Sequence, residues 1–244
     1  MISKLPSWIW PGAWILAFMA GIINVVGLLS FEHQPVTHLT GTTSLLAAAL
    51  SRFDGSAIAR LAGVIGAFVL GAIASGYLVQ NESLRLGRRY VLALLCEGVI
   101  LVVSIPYLNH QSMVGIYGAA AACGLQNAMI STYSGAIVRT THVSGMFTDL
   151  GIALGHALRG LPVDHRRLTL CAIVICGFLA GGGLGALSFR LVHYYALTIP
   201  AVLSVLCAGL VQWIHHAAGD AQAPPRPTKA SQTGSPHSDA PDES

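Results

Sequence analysis

Long apolar runs divided by short polar segments are the feature that most restricts the fold of this chain. Six runs are long enough to cross a bilayer, which takes about 20 residues of helix. Two shorter runs, 39–52 and 143–158, would form helices of only about 21 and 24 Å, against roughly 30 Å of hydrocarbon core. The order long, short, long, long occurs twice along the chain. The long runs cover residues 9–31, 57–80, 89–108, 112–135, 168–192 and 195–216.

The composition indicates that lipid is the solvent. Of the 244 residues, 54% are hydrophobic and only 9% are charged, and the mean hydropathy is +0.65. A soluble domain is about 25% charged, so this chain could not cover an aqueous surface. The first run is longer than the roughly 7–15 apolar residues of a signal peptide. We therefore predict an integral, multi-pass membrane protein, and the scattered basic residues indicate no nucleic-acid partner.

A short polar phrase marks the start of each short run. The sequence Thr-His-Leu-Thr-Gly at 37–41 recurs as Thr-His-Val-Ser-Gly at 141–145, and each copy follows a Gly-x-x-Asn at nearly the same spacing. Polar groups are costly inside long apolar runs, so the repetition predicts a duplicated protein with a polar centre. The shared residues are Asn24, His38, Thr40 and Gly41 in the first copy and Asn127, His142, Ser144 and Gly145 in the second.

The distribution of positive charge predicts the topology. If the short runs do not cross and the N-terminus is cytoplasmic, only Arg52, Arg60 and Arg190 lie outside, as the positive-inside rule favours. Three crossings per repeat would make the two halves inverted. A parallel duplication with eight spans is the alternative. We expect a first repeat at 1–108, a second at 109–216 and a disordered cytoplasmic tail at 217–244, in an inner (plasma) membrane with both termini cytoplasmic.

The six-span topology places the two short helices on opposite sides of a central site. Their N-termini would meet near the midplane, with Thr40 and Ser144 as N-cap residues. Free N–H groups and helix dipoles favour an anion or a carbonyl group there. We predict that the eight shared residues and Arg139 bind substrate. In the alternative interpretation, each histidine and asparagine only ties its own loop or helix by a hydrogen bond.

Two acidic residues interrupt apolar segments. Glu97 lies in the middle of the third long run, and Asp149 lies in the second short run. Ionisable groups inside a membrane are candidate functional groups, so both are predicted to carry a proton during coupling. The alternatives are a structural pair of Asp149 with Arg139 or His142, and an Arg139 side chain that extends to the cytoplasmic face.

Neither a metal site nor a cofactor is predicted. The five cysteines are odd in number and form no Cys-x-x-Cys, which is typical of small buried residues. Two histidines without a cysteine or carboxylate at ligand spacing make a poor zinc site. Ligation of a haem or metal by His38 and His142 is the least favoured alternative.

The first copy of the polar phrase also carries a family resemblance. Residues 21–27, Phe31 and residues 37–44 resemble the YoaK-type family of bacterial inner-membrane proteins, a domain of unknown function. The resemblance extends over about residues 9–216. It implies a six-pass, all-α membrane helix bundle, and it implies no activity, substrate or binding residue.

These observations favour a transporter or channel for a small polar or anionic solute, with lipid and solute as partners and an oligomer of identical chains left open. A membrane accessory or assembly protein, in which every polar group serves packing, is the main alternative. No nucleophile elbow, His-Glu-x-x-His or phosphate-binding loop occurs in the sequence, so an enzyme is not expected.

Overall fold

The computed structural model describes residues 9–79, 87–134 and 140–221, with side chains described as far as residue 214. All regular secondary structure in these residues is helical, so the prediction of an all-α fold is confirmed. The six long and two short runs each became one helix. A short 3-10 helix, His193–Leu197, joins the last two. The α-helices are α1 (Ile9–Leu29), α2 (Leu39–Ser51), α3 (Gly55–Leu78), α4 (Arg88–Asn109), α5 (Met113–Ser134), α6 (Val143–Leu158), α7 (His165–Val192) and α8 (Thr198–Ala221).

The long helices are those of an integral membrane protein. Five segments of the described chain are long and apolar enough to cross a bilayer. The last of them, His165–Ile214, spans 50 residues and includes both α7 and most of α8. The α-helix breaks at His193, where φ is 50°. The helices on the two sides of the break, α7 and α8, are each long enough to cross the bilayer alone. Six helices can therefore span the membrane, whereas α2, with 13 residues, and α6, with 16, are too short.

Equivalent helices of the two repeats run in opposite directions. The start of α1 and the end of α5 line one cavity together with the start of α4 and the end of α8. Tyr90 near the start of α4 packs edge-to-face on Tyr133 near the end of α5, with ring centroids 5.4 Å apart. Helices α1 and α5, like α4 and α8, are therefore antiparallel. A parallel duplication would make each of these pairs parallel, so the repeat is inverted and the eight-span alternative is wrong.

Close backbone contact holds each repeat to the other. The most extensive helix contacts are α1 with α7 and α3 with α5, which are equivalent pairs. At both crossings a glycine lies so close to a carbonyl oxygen that an added methyl group would clash with it, as is typical of small residues at helix contacts in lipid. The equivalent contacts are Gly21 on Phe178 and Gly181 on Phe18 between α1 and α7, and Gly124 on Phe68 and Gly71 on Ala121 between α5 and α3.

The helix directions make α2 and α6 re-entrant. Along the α1–α7 contact, Gly177 lies beside Trp14 and Gly185 beside Ile22, so these two helices are parallel. Along the α3–α5 contact, Gly63 lies beside Tyr117, near the starts of both helices. Helix α1 therefore ends on the side where α3 begins, and α5 ends on the side where α7 begins. We call the side where α1 begins the N-terminal side: α6 enters and returns from it, and α2 does so from the opposite side.

An aspartate starts the long helix that follows each short one. Asp164 caps α7 through the N–H groups of Arg166 and Arg167. At α3 the Asp54 carboxylate accepts a hydrogen bond from the Ala57 N–H at 3.0 Å. That N–H, together with a second donor from Ser56, holds the pKa of Asp54 below its usual range. Each return from a short helix is thus fixed by a strong local signal.

Candidate functional site

The short helices begin at histidines. His38 and His142 are the N-caps of α2 and α6, with non-helical backbone angles, and the His38 carbonyl accepts the helical hydrogen bond from the Thr42 N–H at 3.2 Å. Thr40 and Ser144 lie in the first turn, so their prediction as N-caps is wrong by two positions. The first helical hydrogen bonds are accepted by the carbonyls of His38 and His142. Thr40 and Ser144 therefore lie inside the helices rather than at the caps.

The glycine of each phrase makes room for the histidine ring. A methyl group added to Gly41 would lie 2.7 Å from Nδ1 of His38, and one added to Gly145 would overlap the ring of His142. Each imidazole therefore lies against the first turn of its helix. Both rings, and the side chains of Thr40 and Ser144, are exposed. The repeated Thr-His-x-[Thr/Ser]-Gly phrase thus builds the same helix start twice.

The N–H groups at these helix starts have no side-chain partner in the part of the chain that the structure describes. Neither His38 nor His142 makes a side-chain capping hydrogen bond. The first N–H groups of a helix have no partner within the helix, and they carry the positive end of its dipole. In α3 and α7, by contrast, an aspartate side chain accepts hydrogen bonds from these first N–H groups. A helix start without an anionic cap can accept an external anion or carbonyl oxygen.

The two asparagines differ in their partners. Oδ1 of Asn24 accepts hydrogen bonds from the N–H of Thr37 at 3.1 Å and from its hydroxyl at 2.7 Å. This ties the segment before α2 to the interior of α1. Oδ1 of Asn127 is buried without a hydrogen-bond partner among the described residues. In the second repeat Thr140 instead donates to Oε1 of Gln126, at 3.5 Å.

The short helices do not touch each other in the described structure. Helix α2 packs on α3, and α6 packs on α7. Each does so through very few fully buried side chains: Thr42 and Ala49 in α2 and Met146 in α6. The expectation that the two N-termini meet is therefore wrong for a single chain, because each short helix is fixed to the long helix that follows it.

Asp149 forms an ion pair that the sequence did not predict. Its two carboxylate oxygens accept hydrogen bonds from Nη2 of Arg167 at 2.8 Å and from Nε at 3.2 Å. The partner lies on α7, so the predicted pairing of Asp149 with His142 is wrong. Arg139 lies outside the described residues. The pair borders a cavity of about 240 Å³ that His156 also lines.

A second ion pair holds the first short helix from the opposite side. Nε of Arg60, on α3, lies 3.6 Å from Oε2 of Glu32, in the segment before α2. Both pairs join a re-entrant segment to the long helix that follows it. The bidentate geometry of Asp149 with Arg167 makes the pair on the N-terminal side the stronger one.

Glu97 is fully buried in the contact between α4 and α8. Its side chain is 0% exposed, and neither carboxylate oxygen has a hydrogen-bond partner among the described residues. The Ser204 hydroxyl on α8 donates instead to the Pro200 carbonyl at 3.0 Å. Gly98 brings α4 close to the carbonyl of Ala201. Glu97 is thus a buried acid with the Ser204 side chain nearby and no ion-pair partner among the described residues, and its proposed role in coupling stays a prediction.

Sequence reasoning missed two residues of this region. Thr37 was part of the repeated phrase, but its hydrogen bonds to Asn24 depend on how the chain turns back after α1. Arg167 lies in a cluster of basic residues that resembles an ordinary cytoplasmic loop. Among residues 9–79, 87–134 and 140–221, no group of three or more His, Cys, Asp or Glu side chains could hold a metal ion.

Comparison with known proteins assigns the family. A family model described as "Protein of unknown function (DUF1275)" matches residues 12–210. No curated protein and no solved structure matches the chain. The match covers α1 through most of α8, and it confirms the expected family of unknown function, whereas the YoaK-type name stays a resemblance. This chain is a member of the DUF1275 family.

Proposed function

We propose that this protein transports or conducts a small polar or anionic solute along the starts of α2 and α6. One observation carries the proposal. Two re-entrant helices that enter from opposite sides each begin with an exposed histidine and with N–H groups that no side chain of the described residues caps. Half-helices of this kind form the binding sites of several secondary transporters.

The exposure of polar side chains supports a water-lined pathway. The Thr37 segment is bonded to Asn24, which lies inside α1 rather than at its end. His38 therefore begins α2 within the thickness of the bundle. Exposed polar side chains and irregular backbone at that depth are costly in hydrocarbon and are tolerated where they line an aqueous cavity.

The chemistry of the helix starts selects the class of solute. Amide N–H groups and positive dipole ends attract a carboxylate, another small anion or a strongly polar carbonyl group. Each imidazole can both donate and accept a hydrogen bond. Arg167 is already neutralised by Asp149. The described helix starts therefore offer partial charges rather than a fixed cation, which suits a small monoanion or a neutral polar solute.

Glu97 is the better of the two predicted proton carriers. Its carboxyl group is buried without a charged partner in the described structure, and burial disfavours the charged form of an acid. The charge of Asp149 is compensated by Arg167. If Glu97 carries the coupled proton, Glu97→Gln abolishes the pH dependence of uptake and leaves exchange intact. Unchanged pH dependence in this variant contradicts the role.

We also propose a location and an orientation, which the distribution of arginines supports. Among the described residues, Arg88, Arg89 and the cluster around Arg167 lie on the N-terminal side, whereas Arg52, Arg60 and Arg190 lie on the opposite side. The excess supports a cytoplasmic N-terminal side, in an inner (plasma) membrane. The proposal therefore predicts uptake or export across the membrane that bounds the cytoplasm.

Uptake by proteoliposomes tests the proposed transport. Purified protein is reconstituted and offered a panel of labelled small anions and neutral polar solutes. We expect uptake of at least one class above that of empty vesicles, and a loss of about tenfold or more in His38→Gln and His142→Gln, the cost of one hydrogen bond to a charged group. His110→Gln, an exposed histidine in the α4–α5 connection, is the matched control. No uptake of any panel member would contradict the proposal.

Packing contacts favour one alternative, an accessory or assembly protein. The histidine rings lie on Gly41 and Gly145, and Asn24 fixes its own loop. In that case the two histidine variants lower the melting temperature, and the reconstituted protein moves no solute. Normal melting temperatures with reduced uptake identify the transporter, whereas reduced melting temperatures without uptake in the unsubstituted protein identify the accessory role.

A further inference from the structure

An apolar groove opens between α1 and α8 on the N-terminal side. The cavity measures about 180 Å³. Its floor includes Tyr90 and Leu94 from α4 and Met129 from α5, and its walls include Gly12 from α1 and Val211 from α8. Nearly every lining group is apolar, so the groove offers water too few polar partners for stable binding.

The groove exists because one helix contact departs from the internal symmetry. Helix α4 packs extensively on α5, whereas the equivalent contact of α8 with α1 is small. The α1–α7 and α3–α5 contacts, by comparison, are almost equal. An open apolar gap forfeits the dispersion energy of close packing, so this gap needs an occupant.

The rim of the groove faces the bilayer. Leu210 and Ile214 on α8 line it and are 52% and 38% exposed. On a membrane-spanning helix this exposure is to lipid. The walls at Gly12 and Ile15 form a slot rather than a closed pocket, which an unbranched acyl chain can enter sideways from its own leaflet.

Two arginines lie at the same end of α4. Arg88 and Arg89 are exposed and directly precede the floor residue Tyr90, and neither has an ion-pair partner in the described part of the chain. Gly87, the N-cap of α4, provides no side-chain acceptor. We propose that the groove binds one acyl chain of an anionic phospholipid, whose phosphate is held by Arg88 and Arg89. The proposal does not depend on transport.

Lipid titration of the full-length protein tests the headgroup. Native mass spectrometry measures binding of phosphatidylglycerol and of phosphatidylcholine with the same acyl chains. Each arginine near an anionic headgroup contributes about a factor of five, so we expect a preference of about 25-fold for phosphatidylglycerol. Arg88→Gln with Arg89→Gln should remove the preference. Arg52→Gln with Arg190→Gln, on the opposite side, is the control and should keep it.

Filling the groove tests the acyl chain. A Cβ atom added to Gly12 would meet no atom within 4 Å, and Gly12 lines the groove, so Gly12→Leu places a larger side chain at its wall. We expect it to weaken binding of both lipids by about tenfold. Gly183→Leu is the control, since Gly183 is exposed on α7 and is equally free of neighbours.

Four results would overturn the proposal. They are equal binding of the two lipids by the unsubstituted protein, full competition by soluble glycerol phosphate, unchanged lipid binding in Gly12→Leu, and a change of oligomeric state in place of lipid binding. If Gly12→Leu does not fold, the unsubstituted protein and the arginine variants still decide between a lipid site and a simple anion site.

Discussion

The two repeats agree in their backbone contacts and differ in their polar contacts. Each repeat inserts its first helix against the third helix of the other, with glycines at equivalent positions. The first repeat ties its re-entrant segment to α1 through two hydrogen bonds from Thr37 to Asn24, where the second has one longer bond from Thr140 to Gln126. The second ties its short helix to α7 through the bidentate pair of Asp149 and Arg167, where the first has a longer ion pair at 3.6 Å. The shared contacts therefore maintain the scaffold, and the differences give the two sides of the membrane distinct properties.

The last helices of the two repeats, α4 and α8, also differ in their contacts. Helix α4 closes on α5, while α8 leaves a groove beside α1. The buried Glu97 belongs to α4 alone, since its equivalent in α8 is Cys207. Two identical inverted halves would make the two sides of the membrane equivalent. These differences make the N-terminal side distinct from the opposite side.

Substitution of the glycines where α1 crosses α7 and where α3 crosses α5 should give the largest loss of stability, and the loss should be similar at the two crossings. Gly71→Leu and Gly181→Leu each drive a side chain into a backbone carbonyl of the partner helix. Because backbone cannot move aside cheaply, we expect each variant to lose about 3 kcal/mol of stability. The measurement is thermal or denaturant unfolding in detergent.

The control for these crossings is Gly66→Leu, since a Cβ atom added to Gly66 would have no neighbour within 4 Å. The stability of this variant should stay within about 0.5 kcal/mol of that of the unsubstituted protein. A large loss in only one of the two crossing variants would contradict the equivalence of the two crossings.

The asparagines give an intermediate and asymmetric effect. Asn24→Ala leaves the N–H and hydroxyl of the buried Thr37 without their acceptor, which should cost about 2 kcal/mol. Asn127→Ala removes an oxygen without a partner in the described structure and should cost less than about 1 kcal/mol. The same unfolding assay compares them, and equal losses would mean that the two polar phrases are held alike.

The ion pairs give the smallest effect. A double-mutant cycle with Asp149→Asn and Arg167→Gln should yield a coupling of about 1 kcal/mol, reduced because the Arg167 side chain is 57% exposed and screened by solvent. The longer contact of Glu32 with Arg60 should couple by less than about 0.5 kcal/mol. Both values should fall in high salt, and a salt-independent coupling would exclude the ion-pair interpretation.

The sequence predicted the helices because a membrane allows few solutions. Long apolar runs must become spans, and runs of 13 to 16 residues, such as α2 and α6, cannot cross. Six spans and the inverted repeat followed from the position of arginines. The helix starts were placed two residues late, because threonine and serine are common caps and the histidine carbonyls that begin the helices have no sequence signature.

Contacts between distant residues were not predictable. Arg167 is separated from Asp149 by a loop, and only the packing of α6 on α7 brings them together. The groove is lined by the same apolar residue types as a closed helix contact. It accompanies the small contact of α8 with α1, and no pattern in a single sequence records how closely two helices pack.

The opposite entry of α2 and α6 is the central claim, and cysteine labelling tests it most directly. Phe53 follows α2 and is 92% exposed, while Leu158 ends α6 and is 90% exposed. Phe53→Cys and Leu158→Cys are treated with a membrane-impermeant maleimide in intact cells and in inverted vesicles, with the unsubstituted protein as background. We expect labelling of Phe53→Cys in cells only and of Leu158→Cys in inverted vesicles only. Labelling of both from the same side would contradict it.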